Sequence, residues 1–395
     1  MIKITADRIH PISSEPIEQG VVILDKAGKI LALDRRENHD TASLKILAGD
    51  IVPGFINTHC HLELSHMKGK VPTGTTLIPF ITNVVTQRGA SAEIISDAIQ
   101  HAENQMSADG IVAVGDISNV VDTFAQKAKG RLRYYTFVEM FDFLQDADAD
   151  REFEKYRQVY DALQLAEGSK KSVVPHAPYS VSPSLFQKIN AFNKQNQTKS
   201  NITISIHNQE TQPEQDLFIH GEGAFYGFYG KFGISLDSFK PSSKTAIHYA
   251  FENLDPSVKT LFVHNTLTSE ADIEAAHRWS PNIFWATCPN ANLYIENRLP
   301  NYKHFVEKNA RVTLGTDSLT SNWQLSIVEE IKTIQRFQSY VPLEILLRWA
   351  TLNGAQALSF DDTLGSLEVG KTPGLNLLTI ENDKILRGEK VIIGW

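Results

Sequence analysis

Residues 51–66 read IVPGFINTHCHLELSH, an apolar run that ends in two histidines and then turns polar. The composition is that of a buried strand, and the turn after such a strand separates two architectures. An open doubly wound sheet usually carries a Gly-rich phosphate loop after its first strand, whereas a (β/α)8 barrel places its functional side chains there. Here the turn holds HCHLELSH. The stretch therefore reads as the first strand of a barrel, ending either in metal ligands or in an ordinary solvated strand end.

Working outward, seven more apolar runs recur with helix-length amphipathic stretches between them: 110–116, 132–139, 172–176, 201–207, 260–264, 282–288 and 311–317. Helical patterns follow most of them, as in SEADIEAAHRW (269–279) and SIVEEIKTIQRF (326–337). This rhythm predicts an α/β protein, a distorted (β/α)8 TIM barrel over residues 53–359. The ends differ from the middle. VVILD (21–25) and ILALD (30–34) flank the turn KAGK, and strand-rich character returns in LGSLEVGK (364–371), GLNLLTI (374–380) and KVIIGW (390–395). Residues 1–52 and 360–395 are thus expected to meet in one small β-sandwich. The insertion 211–243, rich in Gly and Phe/Tyr, is too long for a plain connector and reads as an active-site lid or a surface excursion.

The 395 residues are 42% hydrophobic and 21% charged, enough to bury a large core, and the net charge of −8 argues against a polyanionic partner. Nucleic acid is not expected. The N-terminal MIKITADRIHPISSEPIEQG lacks a signal-peptide pattern and no apolar run is long enough to span a bilayer, so the expectation is a cytoplasmic protein without a membrane partner. Its partner would be a small-molecule substrate, with a homodimer left open. The two cysteines, Cys60 and Cys288, exclude a disulfide framework, and neither lies in a CxxC pair.

Barrel enzymes carry their chemistry at the C-terminal ends of the strands. Here those ends are His59 and His61, Asp116, Glu139, His176, His207, His264 and Asp317. Strand alternation puts His59 and His61 on one face and Cys60 on the other. In 201–207, Thr203, Ser205 and His207 share a face opposite Ile202, Ile204 and Ile206, which places His207 on a small polar, interior face. Glu210 comes three residues later, an odd spacing, so the chain must turn for it to reach the same site. Thr313, Gly315 and Asp317 form the inward set of the last strand, and a buried carboxylate there needs a cation or firm hydrogen bonds. Three imidazoles and one carboxylate suit zinc or ferrous iron.

These residues resemble the amidohydrolase superfamily, specifically its mononuclear-metal aminohydrolases. The matching pieces are PGFINTHCHLE (53–63), HAPYSVSP (176–183), HNQET (207–211), VHNTLTSEADI (263–273), CPNANLYI (288–295), LGTDSLTSN (314–322) and LGSLEVGK (364–371), spread over nearly the whole chain. The resemblance implies that His59, His61, His207 and Asp317 are the metal ligands. It implies Glu210 as proton shuttle, His264 as the residue steering the attacking water, Asp317 also as first acceptor of its proton, and His176 as a substrate contact. The strand carrying SVVPHAP has no lysine at its end, so one divalent ion is expected, zinc first, with iron or manganese as alternatives. Thr372-Pro373-Gly374 departs from the usual Ala-Asp after the C-terminal GK.

The activity implied is hydrolytic deamination of an amino-substituted purine or nucleoside-type heterocycle, with release of ammonia. Adenosine derivatives such as 6-aminodeoxyfutalosine, S-adenosylhomocysteine or methylthioadenosine are the model substrates. The alternative is a cyclic-amide or other C–N or C–Cl hydrolase of the same superfamily. Glu63, Glu139, Arg133, Arg298 and Trp323 are candidates to grip a ribose, a carboxylate or a ring, with ion-pair or packing roles as the other reading.

Overall fold

The computed structural model describes residues 1–196 and 202–391. Its centre is built from eight parallel strands: β1 (Phe55–Cys60), β2 (Ile111–Ser118), β3 (Arg133–Met140), β4 (Lys170–Pro175), β5 (Thr203–Asn208), β6 (Lys259–His264), β7 (Ile283–Thr287) and β8 (Val312–Leu314). They form two four-stranded sheets, ordered β4-β3-β2-β1 and β5-β6-β7-β8, with every neighbouring pair parallel. The sheets meet at two seams. On one side the His207 N–H donates to the His176 carbonyl at 2.9 Å, and on the other the Thr316 and Asp317 N–H groups both donate to the His59 carbonyl at 3.0 Å.

All eight expected strands are present, but the first divides. Residues 50–53 pair with Leu375–Glu381, while 55–60 enter the parallel sheet. Gly54 sits at the fork, where a Cβ would lie 2.4 Å from Val112 Cγ1 and 2.5 Å from the Pro373 carbonyl, so no larger residue fits. Of the expected helices, SEADIEAAHRW becomes Glu270–Trp279, capped by Ser269 and Asp272 in a reciprocal box. SIVEEIKTIQRF becomes a helix over Ile327–Phe337.

Both chain ends contribute to one five-stranded sheet, in which 384–390, 375–381, 50–53, 8–9 and 17–18 are neighbours in that order. A second sheet joins 30–35, 20–24, 2–5 and 45–46. Ile4, Ile9, Val22, Ile30, Ile51 and Leu375 pack between them in one apolar cluster. Residues 364–371, expected to be strand-like, form turns instead, and 392–395 of the KVIIGW stretch lie outside the described residues.

The insertion after β5 is compact. It holds two short helical turns (Gln212–Gln215 and Asp216–His220) and α2 (Ala224–Lys231). Their Leu217, Phe218, Phe225 and Tyr229 are buried against Leu77 and Phe80 of α1 (Leu77–Gln87) and against Tyr294 of α3 (Pro289–Glu296), in a cluster separate from the main core. The 211–243 stretch is therefore anchored by its own apolar residues rather than extended over the surface. No helix among the described residues is long and apolar enough to cross a membrane.

Candidate active site

The site is assembled at the C-terminal ends of the strands by backbone turns that the side-chain pattern alone does not show. At β1 the pairing with β2 shifts by one residue between Asn57 and Cys60, yet His59 and His61 still converge, with Nε2 atoms 3.2 Å apart. Cys60 is fully buried in the apolar core, as alternation required. The polypeptide enters the left-handed region at Gln209 (φ 47°), His264 (φ 70°) and Asp317 (φ 55°). Each is a non-glycine residue just at or beyond a strand end, a conformation that costs about 1–3 kcal/mol and recurs at functional sites. The turn at Gln209 is what swings Glu210 toward the histidines, as its odd spacing demanded.

The inward set expected on the last strand is corrected in detail. β8 stops at Leu314, and Thr313 hydrogen-bonds Thr58 Oγ1 at 2.7 Å rather than lining the carboxylate. The room at Gly315 serves His59: a Cβ there would fall 2.9 Å from both His59 Cβ and Cys288 Sγ. Asp317 reaches the cluster through its left-handed turn, and Ser321 Oγ donates to its Oδ2 at 2.6 Å, which leaves Oδ1 facing the imidazoles.

Four donor atoms converge. His61 Nε2 lies 3.2 Å from His59 Nε2 and 3.4 Å from His207 Nε2, and Asp317 Oδ1 lies 3.7 Å from His59 Nε2 and 3.5 Å from His61 Nε2. Donors held about 2.1 Å from one tetrahedral centre stand about 3.4 Å apart, so the spacing fits one zinc-sized ion. Protonation agrees. Burial pushes His61 down to about 3 and His207 well below the ordinary histidine value, so both are neutral. His207 donates Nδ1–H to the His176 carbonyl at 2.8 Å, leaving the Nε2 lone pair for the centre. Burial opposes ionisation of Asp317, but the facing imidazoles of His59 and His61 hold its carboxyl well below the usual range.

His264 stands beside this cluster, its ring centroid 5.7 Å from that of His59 and 5.4 Å from that of His207. Its Nδ1 donates to Asn292 Oδ1 at 2.9 Å, so Nε2 is the free acceptor, 3.8 Å from Glu210 Oε1. Glu210 is 3% exposed, and burial, reinforced by the Asp317 and Glu296 carboxylates, pushes its acid well above the ordinary glutamate value. This favours the protonated form of the acid.

A cavity of ≈ 1000 Å³, its open mouth included, rises from these groups. Its floor holds His61, His176, His207, Glu210, His264 and Asp317, and its walls are mainly apolar, from α1, Phe141, Phe143, Tyr179 and, from the insertion after β5, Phe228 and Tyr229. Glu63 and Glu139 also line it. Burial raises them to about 7 and about 8, and Asn119 joins them, its N–H on Glu63 Oε2 at 3.0 Å and its Nδ2 on Glu139 Oε2 at 3.1 Å. His176 lines the cavity with Nδ1 bonded to Ser180 Oγ at 2.7 Å.

Three candidates are not brought to this cavity. Arg298 and Trp323 line a separate surface depression with Leu293 and Phe337, because Asn297 (φ 52°) ends α3 and turns the chain outward. Arg133 begins β3 at the opposite end of the strand from Glu139, where it stacks on Phe360 and hydrogen-bonds Thr363. Asp116 turns away as well, accepting from the Leu62 N–H at 2.8 Å and pairing with buried Lys127 at 2.6 Å. Asn119, Arg88 and the apolar face of α1 were not anticipated. For Arg88 and α1 the signal was the length of the connection after β1, which holds a whole extra helix before Ala92–Ala108, whereas Asn119 directly follows β2.

A buried three-histidine, one-aspartate cluster with an adjacent acid, beneath a large cavity, defines a candidate metal-dependent hydrolase site. The chain belongs to the amidohydrolase family, whose model matches residues 51–392. It is 27% identical over 346 residues to an adenosine deaminase of Helicobacter pylori, covering 87% of this chain and 81% of that one. It is 26% identical to an aminodeoxyfutalosine deaminase of Nitratiruptor sp., covering 92% and 88%. Among solved structures it resembles Helicobacter pylori aminofutalosine deaminase in complex with methylthio-coformycin (TM-score 0.81, 23% identity, 99% and 100% covered). It also resembles a zinc-bound adenosine deaminase of Xanthomonas campestris (TM-score 0.73, 20% identity, 96% and 85% covered). It is a hydrolase acting on carbon–nitrogen bonds other than peptide bonds.

Proposed function

We propose that this enzyme deaminates a 6-aminopurine nucleoside or a 5′-modified derivative of one, releasing ammonia. The observation that carries the reading is the buried carboxyl of Glu210 3.8 Å from His264 Nε2, beside the four-donor cluster. An acid and an acceptor so placed suit addition of water across an aromatic amidine. Two relatives being an adenosine and an aminodeoxyfutalosine deaminase adds support. The reading includes closure of the two parallel sheets into one distorted (β/α)8 barrel over 53–359, and of the terminal sheets, 1–52 with 360–395, into one β-sandwich. The seam hydrogen bonds and the shared terminal core support this.

In this reading His59, His61, His207 and Asp317 hold one divalent ion, zinc first, with iron or manganese as alternatives. Such an ion, when bound, lowers the pKa of a water from about 15.7 toward about 7. His264 orients the attacking water through Nε2, and Asp317 takes up its first proton. Glu210 donates its proton to the ring nitrogen as the new C–O bond forms. The Glu210 carboxylate so formed carries the proton of the added hydroxyl to the amino group, the C–N bond breaks as ammonia leaves, and the proton held by Asp317 returns to Glu210 to restore the starting state. His176, Glu63 and Glu139 face the substrate above the reacting carbon, with the apolar wall of α1 and the lid enclosing the remainder and excluding water.

The test is ammonia release from adenosine, 5′-deoxyadenosine, methylthioadenosine, S-adenosylhomocysteine, 6-aminodeoxyfutalosine, guanine and cytosine by the zinc-loaded enzyme. The expected result is turnover of at least one adenosine derivative and none of cytosine. Silence on every adenosine derivative refutes the proposal.

A further inference from the structure

Helix α1 begins without a cap of its own: Thr76 precedes it at φ 65°, and its side chain makes no bond to the first turn. The opening N–H groups of a helix have no partner within it. Here the Leu77 N–H donates to Glu296 Oε1 at 2.7 Å, a carboxylate from the far end of α3. The same oxygen accepts the hydroxyl of Thr211 at 2.8 Å, and Thr211 is the chain neighbour of Glu210. The strap before α1 docks on the same helix, with the Gly74 N–H on the Tyr294 carbonyl at 2.7 Å and the Thr76 N–H on the Ile295 carbonyl at 3.0 Å.

We propose that Glu296 is a positioning residue that locks the apolar wall of the cavity to the loop carrying Glu210. Its negative charge suits a helix N-terminus, and both bonds it accepts are charge-assisted. Leu77, Phe80, Ile81 and Val84 of α1, with Arg88 just beyond its end, line the cavity, whereas Glu296 itself does not. One oxygen thus sets where the part of the substrate remote from the amino group rests and how far Glu210 extends. Without it the two segments lose their common anchor and move independently. The inference rests on the deaminase reading for its kinetic consequences, but the lock itself is a property of the apoprotein.

Three variants of the zinc-loaded enzyme test it, Glu296→Ala, Glu296→Gln and Thr211→Val, with 5′-deoxyadenosine as substrate and backbone hydrogen exchange as a second readout. Glu296→Ala should raise KM and lower kcat by about 10-fold each, the size of one lost charge-assisted hydrogen bond per segment. Exchange of the amides of Leu77, Ile78 and Phe80 should quicken while zinc content stays unchanged. Glu296→Gln keeps an oxygen acceptor and should bring both constants back to within about 3-fold of the parent. Thr211→Val cuts only the link to Glu210 and should lower kcat at constant KM. A folded Glu296→Ala protein with KM, kcat and exchange unchanged overturns the proposal. So does a Glu296→Ala protein that loses its zinc, which would make the residue a general support of the site. A parent enzyme silent on every adenosine derivative refutes the deaminase reading instead, and the exchange measurement then decides the lock alone.

Discussion

Replacing Glu210 with glutamine isolates the proton-transfer role from everything else the residue does. The side chain is 3% exposed, and its acid is driven above the ordinary value by burial and by the Asp317 and Glu296 carboxylates, which favours the protonated form that can donate. Glutamine has the same shape, and the backbone N–H at this position keeps its 2.9 Å bond to Glu214 Oε2. What disappears is the transferable proton. General acid–base catalysis contributes about 10²–10⁴ in rate, which at about 1.4 kcal/mol per tenfold is about 3–5 kcal/mol of barrier. The four converging donors do not include Glu210, so metal binding should be untouched. Steady-state ammonia release, zinc per chain and thermal melting on the same preparation therefore form one experiment. The expectation is kcat lower by about two to four orders of magnitude with zinc and melting temperature unchanged. A kcat within about 3-fold of the parent, or a variant that cannot hold zinc, would refute the assignment.

Single contacts elsewhere carry consequences of their own. Chelation should abolish turnover and lower the melting temperature, and zinc at 100 times its dissociation constant should restore about 2.7 kcal/mol of stability; full activity in protein shown to be metal-free contradicts the ligand assignment. Lys127→Met removes the partner of fully buried Asp116 and should cost about 3–5 kcal/mol in denaturant unfolding, largely recovered by adding Asp116→Asn; a loss below about 1 kcal/mol would count against an uncompensated buried charge. Burial raises Asp142 from 3.8 to about 6 against two hydrogen bonds from Ser182. Its folded value lies above the unfolded one, so its contribution to stability is complete below 3.8 and lost as pH rises through about 6. Asp142→Asn should flatten the melting-temperature profile across that window, and an unchanged slope would show that another group sets it.

Most of the fold was readable because each strand announces itself as a short apolar run between helix-length amphipathic stretches, a signal that depends only on burial. The unreadable part depends on close approach between distant segments. The run 51–59 looks like one strand, and only the contact of Gly54 with Val112 and Pro373 shows why it is cut in two, one half serving the terminal sheet and the other the parallel sheet. LGSLEVGK has alternating apolar residues yet forms turns. Its Leu367 N–H is tied to the Pro11 carbonyl and its Gly370 N–H to the Ile30 carbonyl, bonds to the opposite end of the chain that no local pattern encodes.

The site was readable for a related reason: polar residues at the ends of apolar strands are conspicuous, and eight such positions were visible in the sequence. Arg298, Arg133 and Trp323 went astray because a charged or aromatic residue near a strand or helix end carries no sign of which way the chain turns next. The same ignorance of turns hides how the remaining candidates converge. Gln209, His264 and Asp317 all adopt the left-handed conformation, at about 1–3 kcal/mol each, where glycine would be the easy local choice. Histidine at 264 and aspartate at 317 therefore mark positions where the side chain was needed more than backbone ease. At Gln209 the side chain serves the turn itself, its Oε1 accepting from Thr268 Oγ1 at 2.6 Å and its Nε2 donating to Asp272 at 3.1 Å. Those bonds hold the strained residue in place, and the strained residue in turn aims Glu210 at the imidazoles.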